Sequence, residues 1–89
     1  MPHVSIKLYP GRTGEQKLEL TERIVTAMGE TIGARPETIS VSFEEVSAED
    51  WDEKVVKPDI ADKLSCVVKL PGYRSIYLEQ GKARDKGNE

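Results

Sequence analysis

The chain has 89 residues, with 13 basic and 16 acidic side chains and a formal charge of -3, and it shows no basic stripe with interleaved aromatics of the kind a nucleic-acid surface needs. No apolar run approaches the length of a membrane span or a signal-peptide core, so the expectation is a soluble, unexported protein with the cytoplasm as its default location. One cysteine, Cys66, and one histidine, His3, exclude an internal disulfide and leave a zinc site or a Ser-His triad without partners, so no metal site is expected.

Met1-Pro2 opens the chain. If Met1 is removed, Pro2 becomes a secondary amine at the start of a strand, and a neutral amine held in a pocket is a general base. The alternative is a proline merely tolerated at a permissive position. Val4, Ile6 and Leu8 alternate with polar residues, which predicts a strand over about residues 2–8 with one apolar face. His3 falls on the opposite face, where a sheet or interface contact is expected before proton transfer. Pro10-Gly11 ends the strand with turn chemistry.

Thr13 to Gln16 fits a capping box, so a helix starts there. Leu20, Ile24, Ala27, Met28 and Ile32, with Val25 beside them, recur at three- and four-residue steps and form a core-facing stripe. Gly33 suits a left-handed stop, and Pro36 could not continue the helix. Ile39, Val41 and Phe43 alternate with Ser40, Ser42 and Glu44 as a second strand. A crossover of this length makes the two strands parallel and the connection right-handed, an α+β (α/β) fold built on a βαβ unit. Such a unit exposes one sheet face, and at this size a single core is barely sufficient, so self-association that extends the sheet is the expected remedy.

Ser47 to Asp52 predicts a capped helical turn presenting Trp51, either as core or subunit packing or as the wall of a pocket. Pro58 suits the first turn of a second short helix carrying Ile60, Leu64, Val67 and Val68 and stopping at Pro71-Gly72. Cys66 in this stretch is expected to be a buried structural thiol, not a nucleophile. Ser75-Ile76-Tyr77-Leu78 could add a short strand against a neighbouring subunit. The expected organisation is one domain over residues 1–76 and a charged, mobile tail over 77–89.

Pro2, followed by Gly11-Arg12-Thr13 and Glu15-Gln16-Lys17, resembles the opening of the 4-oxalocrotonate tautomerase family, whose members use an amino-terminal proline as catalytic base. Arg12 matches that family's first substrate-binding arginine, and Trp51 falls where the family carries an aromatic wall residue. Pro58-Asp59-Ile60-Ala61 and Leu70-Pro71-Gly72-Tyr73 resemble the longer subgroup, which forms homodimers; the resemblance covers roughly residues 2–76. Arg12 taken alone reads first as a solvated turn arginine. The family's second arginine aligns with Ser40, which puts a dicarboxylate substrate in doubt. Arg35, Arg74 or Lys69 of a partner subunit could compensate, but the spacing selects none, and Tyr73 and His3 rank below these.

The resemblance implies a cofactor-independent tautomerase of small 2-oxo or 2-hydroxydienoate acids, or of an arylpyruvate-type enol, with Pro2 as base. A free α-amino group titrates at about 7.7 to 8.0, and burial or a nearby cation lowers that value. Two alternatives stay open at this stage. In one, a hydratase or dehalogenase, the protonated amine acts as acid and a carboxylate such as Glu44 or Glu45 activates water. In the other, Met1 is retained and the chain is a non-catalytic dimeric βαβ module.

Overall fold

The computed structural model describes residues 1–78, and its contacts divide the chain into two compact units, Met1–Glu45 and Val46 onward. The first unit is the expected βαβ: strand β1 (His3–Leu8), helix α1 (Gly14–Ile32) and strand β2 (Ser40–Glu45), with the two strands parallel. In the register, Val4 lies opposite Val41 and Ile6 opposite Phe43, so the apolar residues of each strand share one face. Gly11, at φ 125°, turns the chain after β1 in a conformation that disfavours any side chain.

The predicted capping box is present in full. Thr13 Oγ1 accepts from the Gln16 N–H at 3.0 Å, and Gln16 Oε1 accepts from the Thr13 N–H at 2.9 Å. Gly33 closes α1 at φ 70°, donating its N–H to the Met28 carbonyl. A single 3-10 turn, Pro36–Thr38, then leads into β2.

The stripe on α1 is less covered than its periodicity predicts. Ile24, Val25 and Met28 are half-buried, Leu20 and Ile32 are 42% and 66% exposed, and no residue of the helix is buried. The reason is width. Two strands about 4.8 Å apart make a sheet no broader than the roughly 10 Å helix above it, so the flanks of the stripe overhang.

The second unit is irregular. Ser47 caps a 3-10 turn, Ala48–Asp50, by accepting the Asp50 N–H at 3.3 Å, as expected. The chain then runs as a π-helical stretch, Asp52–Ile60, and a 3-10 stretch, Ala61–Cys66. Pro58 therefore lies inside a helical segment, not in a first turn. Its ring lacks an N–H and crowds the preceding turn, and the wider π register accommodates both defects.

The helical phase breaks at Lys63 (φ -128°, ψ 32°), and the segment ends at Cys66 instead of reaching Pro71. Past that break the spacing from Ile60 and Leu64 no longer predicts facing, so Val68 is fully exposed. Cys66 is likewise exposed, which corrects the expectation of a buried thiol. Ile76, Tyr77 and Leu78 are helical and not a strand, and Leu78 is buried. Tyr77 and Leu78 are thus the described part of the expected tail; its remainder, 79–89, lies outside the described residues.

Among the described residues the buried apolar side chains are Val46, Val55, Val56 and Leu78, all in this second unit. No described helix is long and apolar enough to cross a membrane.

Candidate active site

Pro2 is half-buried at the entrance to β1. Its carbonyl accepts the Ser40 N–H at 3.2 Å, which ties the start of the chain to the start of β2. A groove of about 530 Å³ opens there, with Met1 and Pro2 on one side and Ile32 to Arg35 with Thr38 on the other. The local sequence builds it: Gly33 stops α1, Pro36 turns the chain toward β2, and the intervening residues are laid beside the first strand. Met1 is fully exposed.

Ser40 occupies the register position opposite His3, and its Oγ lies 2.7 Å from His3 Nδ1. The histidine thus makes the cross-strand contact anticipated for it. The Ser40 hydroxyl is thus engaged with the imidazole.

Arg35 enters the groove from a fixed backbone. Its carbonyl accepts both the Thr38 N–H at 3.0 Å and the Thr38 hydroxyl at 2.7 Å. Its side chain is 76% exposed, with Nε 3.7 Å from Glu37 Oε2. Sequence reasoning named Arg35 only as one of three interchangeable cations; the signal that singles it out is the Gly33-to-Pro36 turn.

Arg12 is exposed at the far end of β1, beside a smaller depression of about 230 Å³ lined by Leu8, Arg12, Gln16, Lys17, Leu20 and Phe43. Lys17 Nζ lies 6.0 Å from the Phe43 ring centre and 2.9 Å from Glu45 Oε2. The depression shares no residue with the Pro2 groove. Leu8 lies six residue steps of extended strand beyond Pro2, about 20 Å, so one copy of the chain does not bring Pro2 and Arg12 together. Glu44 and Glu45 stand opposite Lys7 and Leu8, also at the end of the sheet away from Pro2.

Trp51 belongs to the second unit, where its indole N–H donates to the Tyr73 hydroxyl at 2.9 Å. The next two residues are held likewise: Asp52 Oδ1 accepts from Ser75 Oγ at 2.8 Å, and Glu53 Oε1 accepts from the Tyr77 hydroxyl at 2.8 Å. Three consecutive residues therefore clasp every second residue of the segment that follows Pro71. Tyr77 is held above its ordinary phenol pKa of 10.0 by the Glu53 hydrogen bond first, then by desolvation and the negative charges of Glu53, Asp52 and Asp62. The sequence reading missed this clasp; its one visible trace is the alternation Tyr73-x-Ser75-x-Tyr77, read there in part as a strand.

A parallel βαβ unit with a groove at the amino end of its first strand defines a class of small α+β proteins, and comparison narrows it. Residues 2–53 match the family described as Tautomerase enzyme, a span that takes in Pro2, Arg12 and Trp51. The chain is 36% identical over 76 residues to a probable tautomerase of Xylella fastidiosa, covering 85% of this chain and 93% of that protein. It is 43% identical over 51 residues to the 2-hydroxymuconate tautomerase of Bacillus subtilis, covering 57% and 82%. Among solved structures, TomN, a 4-oxalocrotonate tautomerase homologue in the tomaymycin biosynthetic pathway, matches with a TM-score of 0.54 at 32% identity, covering 56% of this chain and 77% of that one. The chain belongs to the tautomerase family, and with that membership goes an isomerase activity of the tautomerase type.

Proposed function

We propose that the protein is a cofactor-independent keto-enol tautomerase of small carboxylate-bearing enols, acting in the cytoplasm as a homodimer, with Pro2 as its general base after Met1 is removed. The observation that carries this reading is the position of Pro2 in a groove, beneath a Met1 whose full exposure means that its removal sacrifices no packing. Removal converts the Pro2 amide nitrogen into a secondary amine facing that groove. The amine takes the enol O–H proton, the electron pair collapses to a carbonyl, and the ammonium delivers a proton to the conjugated carbon. The base is regenerated and no bond to the protein forms.

The separation of Pro2 from Arg12 along β1 favours a site assembled from two copies, with Arg12 of one reaching the substrate held at Pro2 of the other. The overhanging flanks of the α1 stripe supply apolar surface for such an association. Arg12, whose guanidinium has no hydrogen-bond or ion-pair partner among the described residues, then binds the carboxylate or steadies the developing enolate. The resemblance assigns Trp51 the role of an aromatic wall residue. Ser40 in place of a second arginine favours a monocarboxylate such as an arylpyruvate enol over a dicarboxylate. The placement of Glu44 and Glu45 away from Pro2 speaks against water activation beside the amine within one copy.

The test is ketonisation of phenylenolpyruvate by protein made without an amino-terminal tag, with loss of Met1 verified by intact mass. Pro2→Ala and a form retaining Met1 should each lose activity by about 10² to 10⁴, the usual contribution of a positioned base. Equal rates in all three would remove Pro2 from the mechanism.

A further inference from the structure

We propose that Arg35 supplies, from the same subunit as Pro2, the substrate-carboxylate contact that Ser40 cannot make. This rests on the tautomerase reading of the Pro2 groove and names the residue that sets its substrate class. Among the described residues lining that groove, Arg35 alone has a side chain charged at neutral pH: Ile32, Gly33, Ala34 and Thr38 are neutral, and Met1 leaves when Pro2 is freed. A carboxylate entering the groove therefore meets a cation on the wall that faces the base.

The construction of Arg35 suits a clamp. Proline at position 36 restricts the residue before it to extended backbone, and Arg35 lies there at φ -78° and ψ 140°. The two bonds from Thr38 to its carbonyl fix that backbone. The head is left free by contrast. Its contact with Glu37, Nε to Oε2 at 3.7 Å, is beyond hydrogen-bond length, between side chains 76% and 68% exposed. An exposed ion pair of that kind contributes little and yields to a competing anion. The two terminal nitrogens remain for a forked contact to a carboxylate, a geometry a lysine would not reproduce. Ser40 offers no charge, and its hydroxyl is held by His3 at 2.7 Å.

A carboxylate fixed within the groove that holds the base suits a 2-oxo acid in its enol form, where the carboxylate is bonded directly to the carbon bearing the enol oxygen. The rest of the lining offers Ile32 and Ala34 to the third carbon, so an uncharged, apolar substituent fits there and a second carboxylate has no partner from this wall. The partner's arginine at position 12 is then left for the enolate oxygen, and the two guanidiniums divide the work.

Steady-state kinetics on phenylenolpyruvate and on the enol of its methyl ester test the assignment, with Arg35→Ala, Arg35→Lys and Pro2→Ala run in parallel. Arg35→Ala should raise KM for the acid about tenfold or more, the size of one lost charge-assisted hydrogen bond, and leave KM for the ester unchanged. Arg35→Lys should recover part of that loss, because it keeps the charge without the fork. An unchanged KM for the acid, or equal increases for acid and ester, overturns the proposal. The base is read separately. If Pro2→Ala keeps its kcat while Arg35→Ala still weakens the acid alone, the base assignment fails and the clamp stands. If Pro2→Ala loses kcat while Arg35→Ala is silent, the clamp fails and the base stands.

Discussion

The βαβ unit and the chain from Val46 onward meet the demands of folding in opposite ways. In the first, two strands and an α-helix are joined through one 3-10 turn, and the start and stop of α1 are each set by a capping residue, yet its apolar residues are at most half-buried. In the second, the helical stretches are π and 3-10, with a proline inside one and a kink inside the other, yet Val46, Val55, Val56 and Leu78 are between 0% and 6% exposed. Regular backbone and deep burial are separate achievements. A helix satisfies its own hydrogen bonds locally, whereas burial depends on how much surface surrounds a side chain. Where the second unit lacks a regular ladder, side-chain bonds from Trp51, Asp52 and Glu53 to Tyr73, Ser75 and Tyr77 take its place.

The contrast is broken or confirmed most directly by truncating one apolar residue in each unit. Val56 is fully buried and Leu20 is 42% exposed. Val56→Ala removes two methyl groups from a closed site and should cost about 2 kcal/mol, while Leu20→Ala should cost less than about 1 kcal/mol for the chain as a monomer, despite losing more carbon. Urea unfolding at matched protein concentration reads both through the midpoint, with the slope unchanged. A Leu20→Ala loss as large as that of Val56→Ala would mean that the open flank of α1 is covered in solution, as the homodimer requires.

A smaller effect sharpens the claim that the first unit is locally determined. Thr13→Ala removes the acceptor of the Gln16 N–H and should cost about 1 kcal/mol. The same variant should speed hydrogen exchange of the Gln16 amide while leaving amides in the middle of α1 protected. If exchange rises evenly along the helix, its stability comes from packing and not from its cap.

These two regions also differ in how far they could be read in advance. Strands β1 and β2, the start of α1 at Thr13 and its stop at Gly33 were legible because period-two alternation, a capping box and a left-handed glycine act over a few residues. The depth of burial on α1 was not, since a stripe of apolar residues reports direction and says nothing of the width of the sheet beneath it. Past Val46, the spacing of Ile60, Leu64, Val67 and Val68 fits a helix, but Pro58 inside the π stretch and the break at Lys63 reset the phase. The site divides likewise. Pro2, Arg12 and Trp51 were named as candidates through a resemblance. That Arg35 shares a groove with Pro2 follows from how the Gly33-to-Pro36 turn folds back, which no spacing rule encodes.

The least disruptive test probes the clasp that gives the second unit its order. Tyr77 donates to Glu53 and is held above its ordinary pKa of 10.0, so in the folded protein the neutral phenol persists to higher pH than in the unfolded chain. Between the unfolded and folded values the native state binds the extra proton, and stability falls as pH rises through that window. The contribution is therefore fully present below about pH 10 and is lost only at higher pH, with no change expected near neutrality. Tyrosinate absorbance should show a late-ionising component that vanishes in Tyr77→Phe. Glu53→Gln separates the causes, because the amide still accepts the hydrogen bond but carries no charge. That component should move part of the way back toward the ordinary value in Glu53→Gln; if it does not move at all, the carboxylate's charge contributes nothing and the hydrogen bond alone holds the clasp.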